Sequence, residues 1–256
     1  MVNVITIPAF NDNYIWLIKD SQSQHCILVD PGDAAPVLEI VKSQSLVVDA
    51  IIITHKHNDH IGGVDDLLSA FNEQIKLYSK APLFLNSIQV KDNQTLSFFE
   101  GRFSLKVMEV PGHTLDHVVY YNEKMLFSGD TLFSAGCGRV FEGTHQQMFD
   151  ALSQLANLPD STDVYCAHDY TENNLAFAYA LEPKNKALLS YMHRVAKKRQ
   201  LGLPTIPTNI ALEKTINPFL RCEDLSLVNH LQNKLAIPLI AGVETFSALR
   251  TYKDNF

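Results

Sequence analysis

Ala50-Ile51-Ile52-Ile53-Thr54-His55-Lys56-His57-Asn58-Asp59-His60 is the stretch on which the fold turns. Its apolar start reads as a buried strand. Three imidazoles and a carboxylate then fall within six consecutive positions, followed by Gly62-Gly63. Imidazole and carboxylate are the donors that hold zinc, iron or manganese, and enzymes keep one coordination position open for water. A strand-to-helix corner spreads such neighbours over two adjacent metals: His55 and His57 alternate onto one, while Asp59 and His60 turn toward the other. Two histidines alone would read as a solvated loop, but an H-x-H-x-D-H run directly behind a buried strand argues for metal.

Further candidate ligands stand at later strand ends: His113 in Pro111-Gly112-His113-Thr114, Asp130 in Ser128-Gly129-Asp130-Thr131, and His168 in Cys166-Ala167-His168-Asp169. His25, His145, His193 and His230 match no ligand motif and read as surface or core residues. His117, four positions after His113, suits support of a ligand from behind, or plain packing.

Composition narrows the class. Of 256 residues 46% are hydrophobic and 19% charged, which gives ample core and places the chain far from disorder. With 28 acidic against 21 basic side chains the formal charge is -7, the wrong sign for a general nucleic-acid surface. Lys197-Lys198-Arg199 is the one basic run, and a solvated helix face explains it. The first residues carry no signal-like segment and no window is apolar enough to span a bilayer, so a soluble protein is expected. Cys26, Cys137, Cys166 and Cys222 form no C-x-x-C pair; they read as reduced, small buried residues in a cytoplasmic protein.

The texture of the chain is α/β. Val2 to Ile7, Tyr14 to Ile18, Cys26 to Val29, Ala50 to Ile53, Leu105 to Val110, Val118 to Tyr121, Met125 to Ser128 and Val164 to Cys166 read as strands. Helices are expected at Asp33 to Ser43, with Asp33 as N-cap, and near Thr144 to Leu155. Beyond Asp169, long helical patterns at 172–181, 186–200 and 224–233 dominate and no strand is expected. The division falls at 168: residues 1–168 form one domain and 169–256 a smaller, mainly helical one.

The ordered ligand pattern resembles the metallo-β-lactamase superfamily. The resemblance implies a four-layer αββα sandwich with the site at the strand-end loops. It assigns His55, His57 and His113 to one metal and Asp59, His60 and His168 to the other, with Asp130 bridging. Two divalent ions per chain are implied, zinc first, with iron or manganese accepted by the same donors. The segments Gly129 to Thr144, Phe10-Asn11-Asp12-Asn13-Tyr14, Ala167 to Asn174, Asn217-Pro218-Phe219-Leu220-Arg221 and Leu249-Arg250-Thr251-Tyr252-Lys253-Asp254 are similar to glyoxalase II enzymes. That resemblance spans nearly the whole chain. It implies a thioester hydrolase that converts S-D-lactoylglutathione to D-lactate and glutathione, with a hydroxide held between the metals as nucleophile. Asp59 would orient that hydroxide.

Arg250 and Lys253 would meet the glycine carboxylate of the tripeptide, and Arg139, Phe141 and Tyr170 would add contacts from the catalytic side. Two departures bear on affinity: Phe141 stands where some members have Tyr, and Asp169 where Glu is usual. The partner expected is a small glutathione thioester, with no nucleic acid or membrane, and the protein is expected to be monomeric. Competing readings are a lactonase or a persulfide dioxygenase on the same scaffold and, further off, a nucleic-acid-processing enzyme.

Overall fold

The computed structural model describes residues 1–71 and 75–256. Contact density resolves two compact units. The first comprises Met1–Glu109, Asp116–Asn122 and Leu126–Gly129, and the second Val110–Leu115, Glu123–Met125 and Asp130–Phe256.

In the first unit, β1 (Val2–Ala9), β2 (Asn13–Asp20), β3 (His25–Val29), β4 (Val47–Ile52), β5 (Lys76–Ser79) and β6 (Ser87–Gln89) form a sheet in that order. β1, β2 and β3 pair antiparallel, and β3 to β6 run parallel. Parallel neighbours need a crossover. Helix α1 (Ala34–Ser43) supplies it between β3 and β4, and α2 (Asn58–Ile61) and α3 (Val64–Ala70) lie between β4 and β5. Asp33 caps α1 by accepting from the Ala35 amide, as its sequence position predicts.

Period-two alternation sorts the side chains. Ile15, Leu17, Leu28 and Ile51 join Val37, Val41, Val64 and Leu67 of the helices in one core. Trp16, Ile18, Ile27, Val29 and Ile52 point the other way and are equally buried. A sheet covered on both faces carries apolar residues at every position, which explains the unbroken run Ala50 to Ile53.

What covers the second face is a set of antiparallel strands: β7 (Thr95–Phe98), β8 (Phe103–Glu109), β9 (Val118–Tyr121) and β10 (Met125–Gly129). Buried Tyr120 donates its hydroxyl to the Ile53 carbonyl at 2.8 Å, and the Tyr78 and Phe98 rings meet edge to face. The Tyr120 bond ties β9 to the base of the histidine run.

The second unit contains the β11 (Leu132–Phe133) and β12 (Gly136–Cys137) hairpin, β13 (Asp163–Cys166) and β14 (Thr208–Asn209). Its helices are α4 (His145–Ala156), α5 (Thr171–Leu181), α6 (Lys186–Gln200), α7 (Ile210–Ile216), α8 (Leu225–Leu235) and α9 (Val243–Asp254). β14 corrects the expectation that no strand follows Asp169. It pairs antiparallel with β13 over two residues, too short to register as a sequence pattern, and Asn209 at once becomes the N-cap of α7. α4 begins with a reciprocal capping box between Thr144 and Gln147 and buries Met148, Ala151, Leu152 and Leu155 on one face.

Replacing Tyr120 by Phe leaves the buried Ile53 carbonyl without its side-chain donor. A loss of about 1–3 kcal/mol in unfolding free energy is expected, read as a lower urea midpoint at unchanged slope.

Candidate metal centre and adjoining cavity

In the first unit the donor run sits just past the carboxyl end of β4, beside the corresponding end of β3. At the latter, Asp30 is 4% exposed and adopts φ 51°, a left-handed conformation that Asp tolerates better than most residues. Its carboxylate accepts from the Thr54 amide at 2.7 Å, the Thr54 hydroxyl at 2.6 Å and His60 Nδ1 at 2.9 Å. Because the Thr54 hydroxyl proton is spent on Asp30, His55 Nδ1 donates to Thr54 Oγ1 at 3.0 Å. Both imidazoles therefore carry their proton on Nδ1 and present the Nε2 lone pair forward.

The forward atoms converge. His55 Nε2 lies 3.0 Å from His57 Nδ1, and His60 Nε2 3.6 Å from Asp59 Oδ2. Donors bound to one ion at about 2.0–2.1 Å, at angles of about 95–120°, stand about 3–3.6 Å apart, so this spacing suits a shared cation. Asn13 donates to Asp59 Oδ2 at 3.0 Å, fixing the carboxylate from the N-terminal hairpin. His117 stacks on His55 with centroids 4.7 Å apart, a support from behind. Gly32 permits the close approach: a Cβ there would fall 1.8 Å from the Asp59 carbonyl oxygen.

The second unit brings together the other three candidates. Asp130 faces His113 Nε2 with Oδ2 at 3.4 Å and His168 Nε2 with Oδ1 at 3.5 Å, one imidazole per oxygen. That is the arrangement a bridging carboxylate requires. His113 Nδ1 donates to the Arg139 carbonyl at 2.7 Å, again placing the lone pair on Nε2. His168 stacks on Tyr170 at 4.6 Å and 8°. At Gly138 a Cβ would lie 1.9 Å from the Asp130 carbonyl oxygen.

Beside these residues, within the same unit, lies a cavity of about 630 Å³ lined by His113, Asp130, Arg139, Phe141, Tyr170, Arg250 and Lys253 among others. Every substrate-contact candidate from the sequence thus lies on its wall. Phe141 is 62% exposed, its ring edge against His113, so the missing hydroxyl leaves a solvent-facing apolar contact. Arg250 is 3% exposed, donates to the Cys137 carbonyl at 3.0 Å and to Asp254 at 2.9 Å, and lies over the Phe219 ring. Lys253 donates to the Asn173 carbonyl, and burial together with the Arg250 charge brings its amine down to about 8.

Other sequence signals find structural roles. Asn217 donates to the Phe133 and Gly136 carbonyls and to Glu213, holding the β11–β12 hairpin. Asp169 accepts from Thr171 and from the Thr205 amide and pairs with Arg199. The four cysteines are buried and unbridged, and His193 and His230 are exposed. Sequence reasoning missed Asp30 and Asp254. The signal for Asp30 was available as a lone carboxylate at the end of apolar Ile27-Leu28-Val29.

Residues 10–168 match the metallo-β-lactamase superfamily, and residues 169–256 match the hydroxyacylglutathione hydrolase C-terminus. The chain is 66% identical to the hydroxyacylglutathione hydrolase of Psychromonas ingrahamii over 256 residues, all of both chains. The chain belongs to the hydroxyacylglutathione hydrolase family. Identity to the Photobacterium profundum enzyme of that name is 50%, again over the whole of both chains. Among solved structures, ETHE1 from Myxococcus xanthus superposes with a TM-score of 0.65 at 24% identity, covering 99% of this chain and 98% of its own. The B3 metallo-β-lactamase BLEG-1 gives 0.62 at 24%, covering 85% and 99%. These two likenesses establish the metallo-β-lactamase fold. A family member of this fold with these donors is suited to divalent metal.

Replacing Asp30 by Ala releases the orientation of two histidines at once. Metal affinity, measured by chelator competition, is expected to fall about 10–100-fold, with the ligands themselves intact.

Proposed function

We propose that the chain hydrolyses S-2-hydroxyacylglutathione thioesters, converting S-D-lactoylglutathione to D-lactate and glutathione, the second step of methylglyoxal detoxification. The end-to-end likeness to hydroxyacylglutathione hydrolases carries this reading, because it includes the C-terminal segment that sets the family apart from other members of its superfamily. Lactonase and persulfide dioxygenase readings share the fold, whereas the 66% identity is to a hydroxyacylglutathione hydrolase. The expected partner is the small thioester, and a monomeric, cytoplasmic enzyme is proposed. No helix among the described residues is long and apolar enough to cross a membrane.

Two divalent ions are proposed: one on His55, His57 and His113, the other on Asp59, His60 and His168, with Asp130 serving both. The His55–His57 and Asp59–His60 spacings and the Nδ1–H anchoring of His55, His60 and His113 fit such ions. When bound, divalent metal lowers the pKa of coordinated water to about 7 and polarises a carbonyl oxygen. Asp59, steadied by Asn13, would accept a hydrogen bond from the nucleophilic hydroxide and orient it toward the thioester carbon, without taking up its proton. The glutathione thiolate leaves as a stabilised anion, so no side chain has to protonate it in the bond-breaking step.

Arg139, Tyr170, Arg250 and Lys253 are proposed to hold the glutathionyl part, with Arg250 and Lys253 at the glycine carboxylate. Phe141 packs against it. Residues 1–168 then form the catalytic domain and 169–256 the glutathione-binding one.

Single replacement of His57, Asp130 or His168 by Ala is expected to remove most thioesterase activity along with bound metal; near-normal turnover in a metal-replete variant would refute the ligand assignment. Arg250→Ala with Lys253→Ala should raise KM for S-D-lactoylglutathione. The Lys253 amine is cationic below about 8 and neutral above it, so its attraction for a carboxylate is present at neutral pH and lost on going alkaline. KM should therefore climb several-fold between about pH 7 and pH 9.5, and Lys253→Arg, which stays charged, should flatten that rise.

A further inference from the structure

Asp254 sits where a helix disfavours a carboxylate. It is the last residue of α9, at the negative end of the helix dipole, where a cation would be favoured. Its Oδ1 nevertheless takes Arg250 Nη2 at 2.9 Å and faces Arg139 Nε at 3.4 Å. Those two guanidiniums come from different segments of the second unit, and both line the cavity, as does Lys253. Arg250 has a second anchor, the Cys137 carbonyl, so Asp254 is not needed merely to place it. Buried Arg250 Nε has no hydrogen-bond partner among the described residues, so the guanidinium is not fully satisfied by Cys137 and Asp254.

We propose that Asp254 is a built-in counter-charge that weakens the cavity's hold on carboxylates so that the glutathione product leaves. The proposal rests on the reading that this cavity takes the glutathionyl part of the thioester. Substrate and product carry the same two carboxylates, so whatever cationic pull the cavity exerts is exerted on both. Such uniform binding does nothing for the chemical step and retains the product. An exposed carboxylate shared by Arg139 and Arg250 offsets part of that pull without blocking the wall, since Asp254 is not itself a lining residue of the cavity.

Asp254→Asn keeps an oxygen acceptor for Arg250 and removes only the charge. KM for S-D-lactoylglutathione and the competitive inhibition constant of reduced glutathione should both fall, by a similar factor of about 3–5 at low ionic strength, without a rise in kcat. The two constants should also become more salt-dependent, and the gap from the parent enzyme should close near 1 M salt. Unchanged or raised values of both constants in Asp254→Asn overturn the proposal. Arg250→Ala separates the two levels: if it raises KM while Asp254→Asn lowers nothing, the counter-charge is wrong and the cavity assignment stands. If Arg250→Ala leaves KM unmoved, the cavity assignment itself has failed.

Discussion

One carboxylate organises the first half of the candidate metal-ligand set. Asp30 is buried at the end of β3 and accepts from a backbone amide, a hydroxyl and an imidazole. A buried carboxylate is costly to desolvate unless its oxygens are filled, and here the filling groups are the ones whose orientation matters. Through Thr54 and His60 the same charge fixes two ring tautomers. The parallel pairing of β3 with β4 makes this possible by setting the two strand ends side by side.

The second unit orients its imidazoles with neutral groups. A backbone carbonyl, that of Arg139, orients His113, and an aromatic face supports His168. Asp130 then has one imidazole on each oxygen. The hairpin following Asp130 is held by Asn217, whose amide reaches two of its carbonyls, and by Glu213, which accepts from the Ala135 amide. Burial pushes the Glu213 carboxyl up to about 7, a measure of how dry this support is. The cavity wall and the ligand loop thus share one scaffold.

Much of this was legible in the residues because the chemistry is local. The donor run at 55–60 and the strand that leads into it follow from composition and spacing, and α1 with its Asp33 cap appears as expected, whereas β5 beyond the run was not foreseen. The ligand pairing of Asp130 with His113 and His168 came from resemblance, since no spacing rule joins residues so far apart. What escaped were short or mixed elements. β14 has two residues, β11 and β12 two each, and α9 mixes Thr245, Ser247 and Thr251 with an apolar face that contains an arginine. Asp30 escaped because one carboxylate at a strand end has no periodicity, and Asp254 because its partner Arg139 is distant in sequence.

Gly32 and Gly138 bear on how this sequence can drift. At each, any side chain would start far inside van der Waals contact distance of the carbonyl oxygen of a metal-ligand candidate, Asp59 or Asp130. Neither contact can be relieved by a rotamer change, because backbone meets backbone. The two positions are therefore fixed points in the space of tolerated sequences, although neither offers a side chain to a metal. Asn58, interleaved with the histidines, is exposed, so a change of its side chain meets no such backbone clash.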